Sequence, residues 1–581
     1  VTRLEVWAPN AQRRVEVVIG EGERVSMELA GDGWWWAEIA SLAAGQDYRF
    51  SLDGGDAMPD PRSPWQPAGV HGPSRVVDHG AFEWTNSAWS TFSLADAVVY
   101  ELHVGTFSPE GTFDGAVPYL DHLVDLGINA VEVMPVNQFP GARGWGYDGV
   151  DLYAPQHEYG GPDGFKRLVD ACHARALAVI LDVVYNHLGP DGNYLGAYGP
   201  YFTDRYSTPW GMAPNLDGPE SDNVRSFIVD NALLWMRDYH VDGLRLDATH
   251  AIVDMSALHI LEQLVDAVRA FDPKRWVIAE SDRNDPRLVW SRDVGGYGLD
   301  AQWSDDFHHS LHAALTGERQ GYYADFGPLA DIATAWHNAY VYDDRYSVFR
   351  RRHHGRSPGP GIPGARFFGY LQDHDQVGNR AEGDRSSHLM SQPHLEAAAA
   401  LVLLSPFVPM LFQGEEWGAS TPFQYFTDHR DPTLAKAVSE GRAREHAGFG
   451  GVVPDPQDPA TFERSRLDWS ERERSPHREL LEWHRRLIAL RRSPEMASLG
   501  GRNLGDDHVA WDEGERWIII DRGPLAIAAN VGERPVQMPL AGAARRELLA
   551  MSPSCRDAVS VHADTVELPP GAAVLGAERA G

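Results

Sequence analysis

Residues 241–250, VDGLRLDATH, open as an apolar run and close on a charged pair, Arg245 and Asp247, two positions apart. Residues i and i+2 of a strand share a side, so Arg245 and Asp247 point together while Leu244 and Leu246 point away. A buried strand with that ending belongs at the carboxyl edge of a sheet. In a parallel barrel that edge carries the active site. A structural ion pair closing the strand is the plain alternative for the pair taken alone.

The stretches on either side favour the barrel. Strand-like runs recur at 97–105 (AVVYELHVG), 128–136 (INAVEVMPV), 177–187 (LAVILDVVYNH), 241–248 (VDGLRLDA), 276–281 (WVIAES), 299–304 (LDAQWS), 366–375 (RFFGYLQDHD) and 407–418 (FVPMLFQGEEWG). Helix-like runs separate the first five, such as GFKRLVDACHARA and ALHILEQLVDAVRAF. Strands alternating with helices imply a parallel sheet, and eight of them imply a (β/α)8 TIM barrel. The segment near 188–221 is rich in Gly, Pro and Tyr and reads as a long loop over the barrel mouth, without a clear helix.

Short alternating strands before and after this region (RLEVWAP, RVEVVIG, WWWAEIA and DYRFSLDG; later HVAWDEG, RWIIIDRG and LAIAANVG) indicate an N-terminal and a C-terminal β-sandwich. The expected division is residues 1–90, 91–495 and 496–581. A chain of 581 residues is too long for one core, which fits three units.

Composition narrows the function. The net charge of −32 repels nucleic acid and anionic lipid. Neither nucleic acid nor a membrane is therefore an expected partner. The longest apolar stretch, 397–412, is broken by Pro406 and Pro409 and does not read as a membrane span. The first residues lack the shape of a signal peptide, so a cytoplasmic location is the expectation. Lys166, Lys274 and Lys436 are the three lysines, and none ends an apolar strand, which disfavours Schiff-base chemistry. Cys172 and Cys555 form no CxxC pair. No metal site and no cofactor is expected.

Glu280 ends the fifth run after apolar residues, with no cation adjacent in sequence. A carboxyl in such surroundings should have a raised pKa, as a general acid requires. A cation beside Asp247 favours its ionised form. Consecutive barrel strands are neighbours, so Asp247 and Glu280 should face one another, as retaining glycoside hydrolysis demands. A third acidic cluster, Asp373-His374-Asp375, follows the seventh run, and DVVYNH places Asp182, Asn186 and His187 after the third. Metal binding is the rival reading for the Asp/His cluster, but its spacing matches no common ligand pattern. DDFHH (305–309) reads as polar packing near the sixth strand rather than a metal site.

In this order and on this strand pattern, DVVYNH, GLRLDATH, AES and LQDHDQ resemble the four signature regions of glycoside hydrolase family 13, the α-amylase superfamily. The resemblance extends over the whole chain, with the front module similar to the starch-binding-type module of branching and debranching members. Residues 134–170, 302–318 and 414–429 look like the trehalose-releasing hydrolases of that superfamily. The resemblance implies hydrolysis of the α-1,4 bond next to the trehalose end of maltooligosyltrehalose. It implies functional coupling to an enzyme that forms that substrate.

Carried over by position, the resemblance implies Asp247 as nucleophile, Glu280 as general acid/base and Asp375 as the transition-state carboxylate. Arg245 would orient Asp247, His187 and His374 would bind sugar hydroxyls, Tyr147 would stack on the sugar, and Asp182 would support the site. The chain departs from common α-amylases at DATH, where many have lysine before the histidine, and at LQDHD, where many have asparagine. The irregular 188–221 segment argues against the amylase calcium site. The loops 188–221, 139–145 and 422–429 are the candidate readers of the trehalose end. A glycogen-branching or debranching enzyme is the alternative, and a non-catalytic glucan-binding protein a weaker one.

Overall fold

The computed structural model describes residues 1–581 except 21, 87, 446–452, 498–501, 544–545 and 579–581. Its centre is a closed barrel of eight parallel strands: β1 (Val99–Leu102), β2 (Ala130–Val133), β3 (Ala178–Val183), β4 (Gly243–Leu246), β5 (Trp276–Ala279), β6 (Ala301–Trp303), β7 (Phe367–Gly369) and β8 (Val408–Phe412). They pair in chain order, and β8 closes on β1. Each lies within one of the eight apolar runs.

Period-two alternation divides each strand between two environments. Leu181, Val183, Leu244, Leu246 and Val277 face outward into the main core, packed with the helices between strands. A fully buried Leu contributes roughly 1.5–3 kcal/mol, and both β4 leucines are 0% exposed. Val99, Ala130, Ala178, Ile180, Ile278, Ala301, Phe368 and Met410 form a separate cluster inside the barrel. Further along the same inward positions the side chains turn polar: Glu101, Glu132, Asp182 and Arg245. The barrel is thus an apolar plug below and a charged layer above.

Helices Gly161–His173, Ser221–Asp238 and Ile260–Phe271 follow the helix-like runs. The last turns its apolar stripe of Ile260, Leu261, Leu264, Val265 and Val268 to the core. Among the described residues no helix is long and apolar enough to cross a membrane.

The front module pairs strands Thr2–Trp7, Trp34–Ile39 and Glu28–Gly31 in one sheet and builds a second around Val15–Ile19 and Asp47–Leu52. It is tied to the barrel by Trp34 Nε1, which donates to Asn223 (2.9 Å). The back module joins His508–Asp512, Trp517–Arg522, Leu525–Asn530, Ala573–Glu578 and Arg546–Met551 in one sheet, opposite a three-stranded sheet.

The 188–221 segment differs from the sequence expectation of a plain loop. It holds a short helix, Leu195–Tyr198, and an antiparallel hairpin of Phe202–Thr208 and Gly211–Pro214. The first hairpin strand is mostly polar and only its last residue is buried, and the second, Gly-Met-Ala-Pro, is short, so neither shows the apolar alternation that marks a strand packed on a core.

Candidate active site

The site lies where the strands end at their carboxyl edge. Leu246 of β4 pairs with Ala279 of β5, and the next residue on each strand is an acid, Asp247 and Glu280. Glu280 N donates to Leu246 O (3.0 Å), so the two acids leave adjoining strands at one level.

Arg245 is the hub. Fully buried, its Nη1 donates to Asp247 Oδ1 and to Asp182 Oδ2, each at 2.8 Å. Its Nη2 lies 3.8 Å from Glu280 Oε2. The guanidinium also sits 4.4 Å above the Trp303 ring, whose face favours a cation. The second oxygen of Asp247 accepts from Asn186 Nδ2 (2.6 Å), which also donates to the Asp247 carbonyl (2.8 Å). Both oxygens of Asp247 are therefore held, and the carboxyl plane is fixed.

Glu280 accepts a 2.6 Å hydrogen bond from Ala248 N. Ala248 aims that N–H by adopting a left-handed backbone, φ 40°. For a residue with a side chain this costs about 1–2 kcal/mol. Thr249 N and Oγ1 both bind the Glu280 carbonyl, at 2.9 and 2.7 Å. The nearby Arg245 corrects the expectation of a glutamate with no adjacent cation. Burial nonetheless pushes the Glu280 carboxyl well above its usual range, outweighing Arg245, and Asp247 adds to the rise.

His374, Tyr147 and Asp182 form a chain across the barrel mouth. Tyr147 Oη donates to Asp182 Oδ2 (2.6 Å) and meets His374 Nε2 (2.7 Å), and the two rings stack with centroids 5.2 Å apart. His374 Nδ1 lies 2.5 Å from Glu101 Oε1. Burial alone would depress the imidazolium, but Glu101 and Asp375 lift it to about 10. Burial pushes Asp182 up to about 6 against the pull of Arg245. Asp375 is half exposed, and its Oδ1 lies 3.6 Å from His374 Nε2. Asp373 accepts from the backbone N–H of Asp375 and Gln376 and so caps their short helix. That role suits aspartate at a position where many α-amylases carry asparagine.

His187 bonds Asn186 through Nδ1 and stacks under Trp210, the tip of the 202–214 hairpin, at 4.6 Å. The two other expected reader loops meet. Arg143 Nη2 donates to Asp428 Oδ1 (2.7 Å), Ala142 N to Asp428 Oδ2 (2.8 Å), and Trp145 Nε1 to Gln424 O (3.0 Å).

All eight expected site residues gather at this edge. Sequence reasoning left out Glu101 and Trp303, read Asp305 within DDFHH as polar packing, and did not select Asn186 from its motif. Glu101 follows Val99 at the inward parity of β1, so a charge at that position was the signal. Burial pushes Asp305 up to about 7, and it accepts from Tyr370 Oη (2.6 Å). No group of three or more His, Cys, Asp or Glu among the described residues is disposed to hold a metal ion.

The sequence family described as Alpha amylase, catalytic domain, matches residues 76–199, and a domain of unknown function (DUF3459) matches residues 502–575. The malto-oligosyltrehalose trehalohydrolase of Arthrobacter ramosus is 50% identical, over 99% of this chain and 100% of its own length. That of Rhizobium sp. (strain M-11) is 48% identical, over 99% and 97%. The 1,4-α-glucan branching enzyme of Bacillus caldolyticus is 32% identical over 52% of this chain and 51% of its own. A solved structure from Salmonella typhimurium, described as an α-amylase, superposes with a TM-score of 0.91 at 38% identity, covering 99% of this chain and 97% of that one.

Proposed function

The chain belongs to the malto-oligosyltrehalose trehalohydrolase family of the α-amylase superfamily, and on that premise we propose that it hydrolyses the α-1,4-glucosidic bond beside the trehalose end of maltooligosyltrehalose. The products are trehalose and a maltooligosaccharide. The observation that carries the assignment of roles is the sharing of one buried guanidinium by two acids of unlike surroundings, Asp247 and Glu280.

Asp247, oriented on both oxygens by Arg245 and Asn186, attacks the anomeric carbon of the sugar on the non-trehalose side. Glu280, kept protonated by burial, gives its proton to the glycosidic oxygen, which leaves with trehalose. The chain remains as an ester on Asp247. Glu280, now ionised, takes a proton from water as the water oxygen attacks the anomeric carbon, the bond from that carbon to Asp247 breaks to release the carboxylate, and configuration is retained. Asp375 faces the site as the carboxylate that favours positive charge on the ring in the transition state. His374, as an imidazolium, and His187 bind hydroxyls of the sugar whose bond is cut, and Tyr147 supplies an aromatic face. An enzyme that builds the trehalose end onto a maltooligosaccharide must supply the substrate.

Incubation with a defined maltooligosyltrehalose and, separately, with amylopectin tests the reading. Free trehalose from the first is the expected result. Altered branching of the second with no trehalose from the first overturns it in favour of a branching or debranching enzyme.

A further inference from the structure

We propose that Glu132, inside the barrel below the catalytic pair, is a neutral carboxylic acid joined through ordered water to Arg245 and Asp182, and so positions the guanidinium that Asp247 and Glu280 share. The inference rests on the roles given to those two acids.

Glu132 lies on β2 directly beside Glu101 of β1 in register and is 1% exposed. Neither of its carboxyl oxygens has a hydrogen-bond partner among the described residues. On the same inner surface Arg245 Nε and Nη2 and Asp182 Oδ1 also lack one, Nη2 being 3.8 Å from Glu280. Buried polar atoms nearly always find a partner in protein or water. These groups are chemically complementary, and Trp303 Nε1, a further donor of the barrel interior, is orphaned with them. The guanidinium N–H groups only donate, Asp182 Oδ1 only accepts when ionised, and a neutral carboxyl does both. No direct hydrogen bond joins these orphaned atoms, and water that bridges them satisfies donors and acceptors together.

The charge inventory fixes the protonation state. The titratable groups facing Glu132 are Glu101, Asp182, Arg245 and His374. Glu101 is matched by the His374 imidazolium and Asp182 by Arg245. A third anion beside Glu101 would have no cation of its own in a buried, low-dielectric interior. Burial and Glu101 accordingly push the Glu132 carboxyl well above its usual range. Glu132 is thus a positioning residue, acting through Arg245.

Glu132→Met and Glu132→Gln, purified as full chains and compared by melting temperature, test this. The methionine variant removes the polar link, and kcat should fall about tenfold or more with KM little changed. Glutamine can both donate and accept, so it should recover most of that loss and leave the basic limb of the pH–rate curve where wild type has it. A limb moved to lower pH in the glutamine variant would mean that an anion had been removed, and would overturn the proposal. Wild-type kcat in the methionine variant would overturn it too. Difference infrared spectra of wild type against Glu132→Gln at neutral pH should show a protonated-carboxyl stretch, and a carboxylate band alone rejects neutrality even if the methionine variant does not fold. That band is independent of the substrate assignment, which fails only if the wild-type enzyme releases no trehalose.

Discussion

At Glu280 burial and a cation pull in opposite directions, and burial prevails. Asp247 sits one position past the neighbouring strand but has both oxygens engaged by Arg245 and Asn186. Two chemically similar side chains are thereby set to donate a proton and to attack. Asp247→Ala and Glu280→Gln should each lower kcat by about a thousandfold or more, with glucan binding largely kept. Hydrolysis at near wild-type rate by either variant rejects the assignment. The sign of the pH dependence follows from the same asymmetry. Glu280 must be protonated to act, and its carboxyl is raised, so the basic limb of kcat/KM should lie above the ordinary carboxylate range and be lost in Glu280→Gln. A profile flat from mildly acid to mildly basic pH would contradict that.

Among the elements, the 202–214 hairpin and the pair of loops at 139–147 and 422–429 shape the mouth. Trp210 is half exposed and rests on His187, so its outer face is open to a sugar ring. Trp210→Ala should raise KM several-fold, by roughly the 0.5–1.5 kcal/mol of one aromatic contact, while kcat changes less. An unchanged KM would place the hairpin outside the substrate path. The loop pair depends on Gly141, with φ 76°, where a side chain would collide with the Asp428 backbone. Gly141→Val should undock Arg143 from Asp428 and reduce kcat/KM by about tenfold or more while the melting temperature changes little. Equal activity would show that the loops need not meet. All three segments were marked as loops in the sequence, but neither the hairpin nor the contact between the other two was legible. The hairpin strands carry no apolar alternation, and the loop contact joins positions 285 apart in the chain.

The molecule as a whole carries a buried ion pair, His374 with Glu101, that links β1 to the turn after β7. Because the folded pKa of His374 is raised to about 10 from 6.5, its stabilising contribution is complete below about pH 6.5 and is lost as pH rises through about 10. The stability gap between wild type and His374→Gln, measured by denaturant unfolding, should be widest in mild acid and close across that window. A gap that widens with pH would refute the pairing. Eight apolar runs, with charges at inward parity near their ends, were enough to read a barrel and to locate Asp182, Arg245, Asp247 and Glu280 on one edge. Parity is a local property of an extended chain, so the order of residues determines it. The partners of those charges were decided by the closed barrel alone. Glu101 meets a histidine 273 positions away, and Arg245 takes Asp182 from 63 positions earlier, because closure brings strand ends together around one axis. How each acid titrates then depends on water excluded by the surrounding strands and on charges from other strands, and neither exists until the barrel is shut.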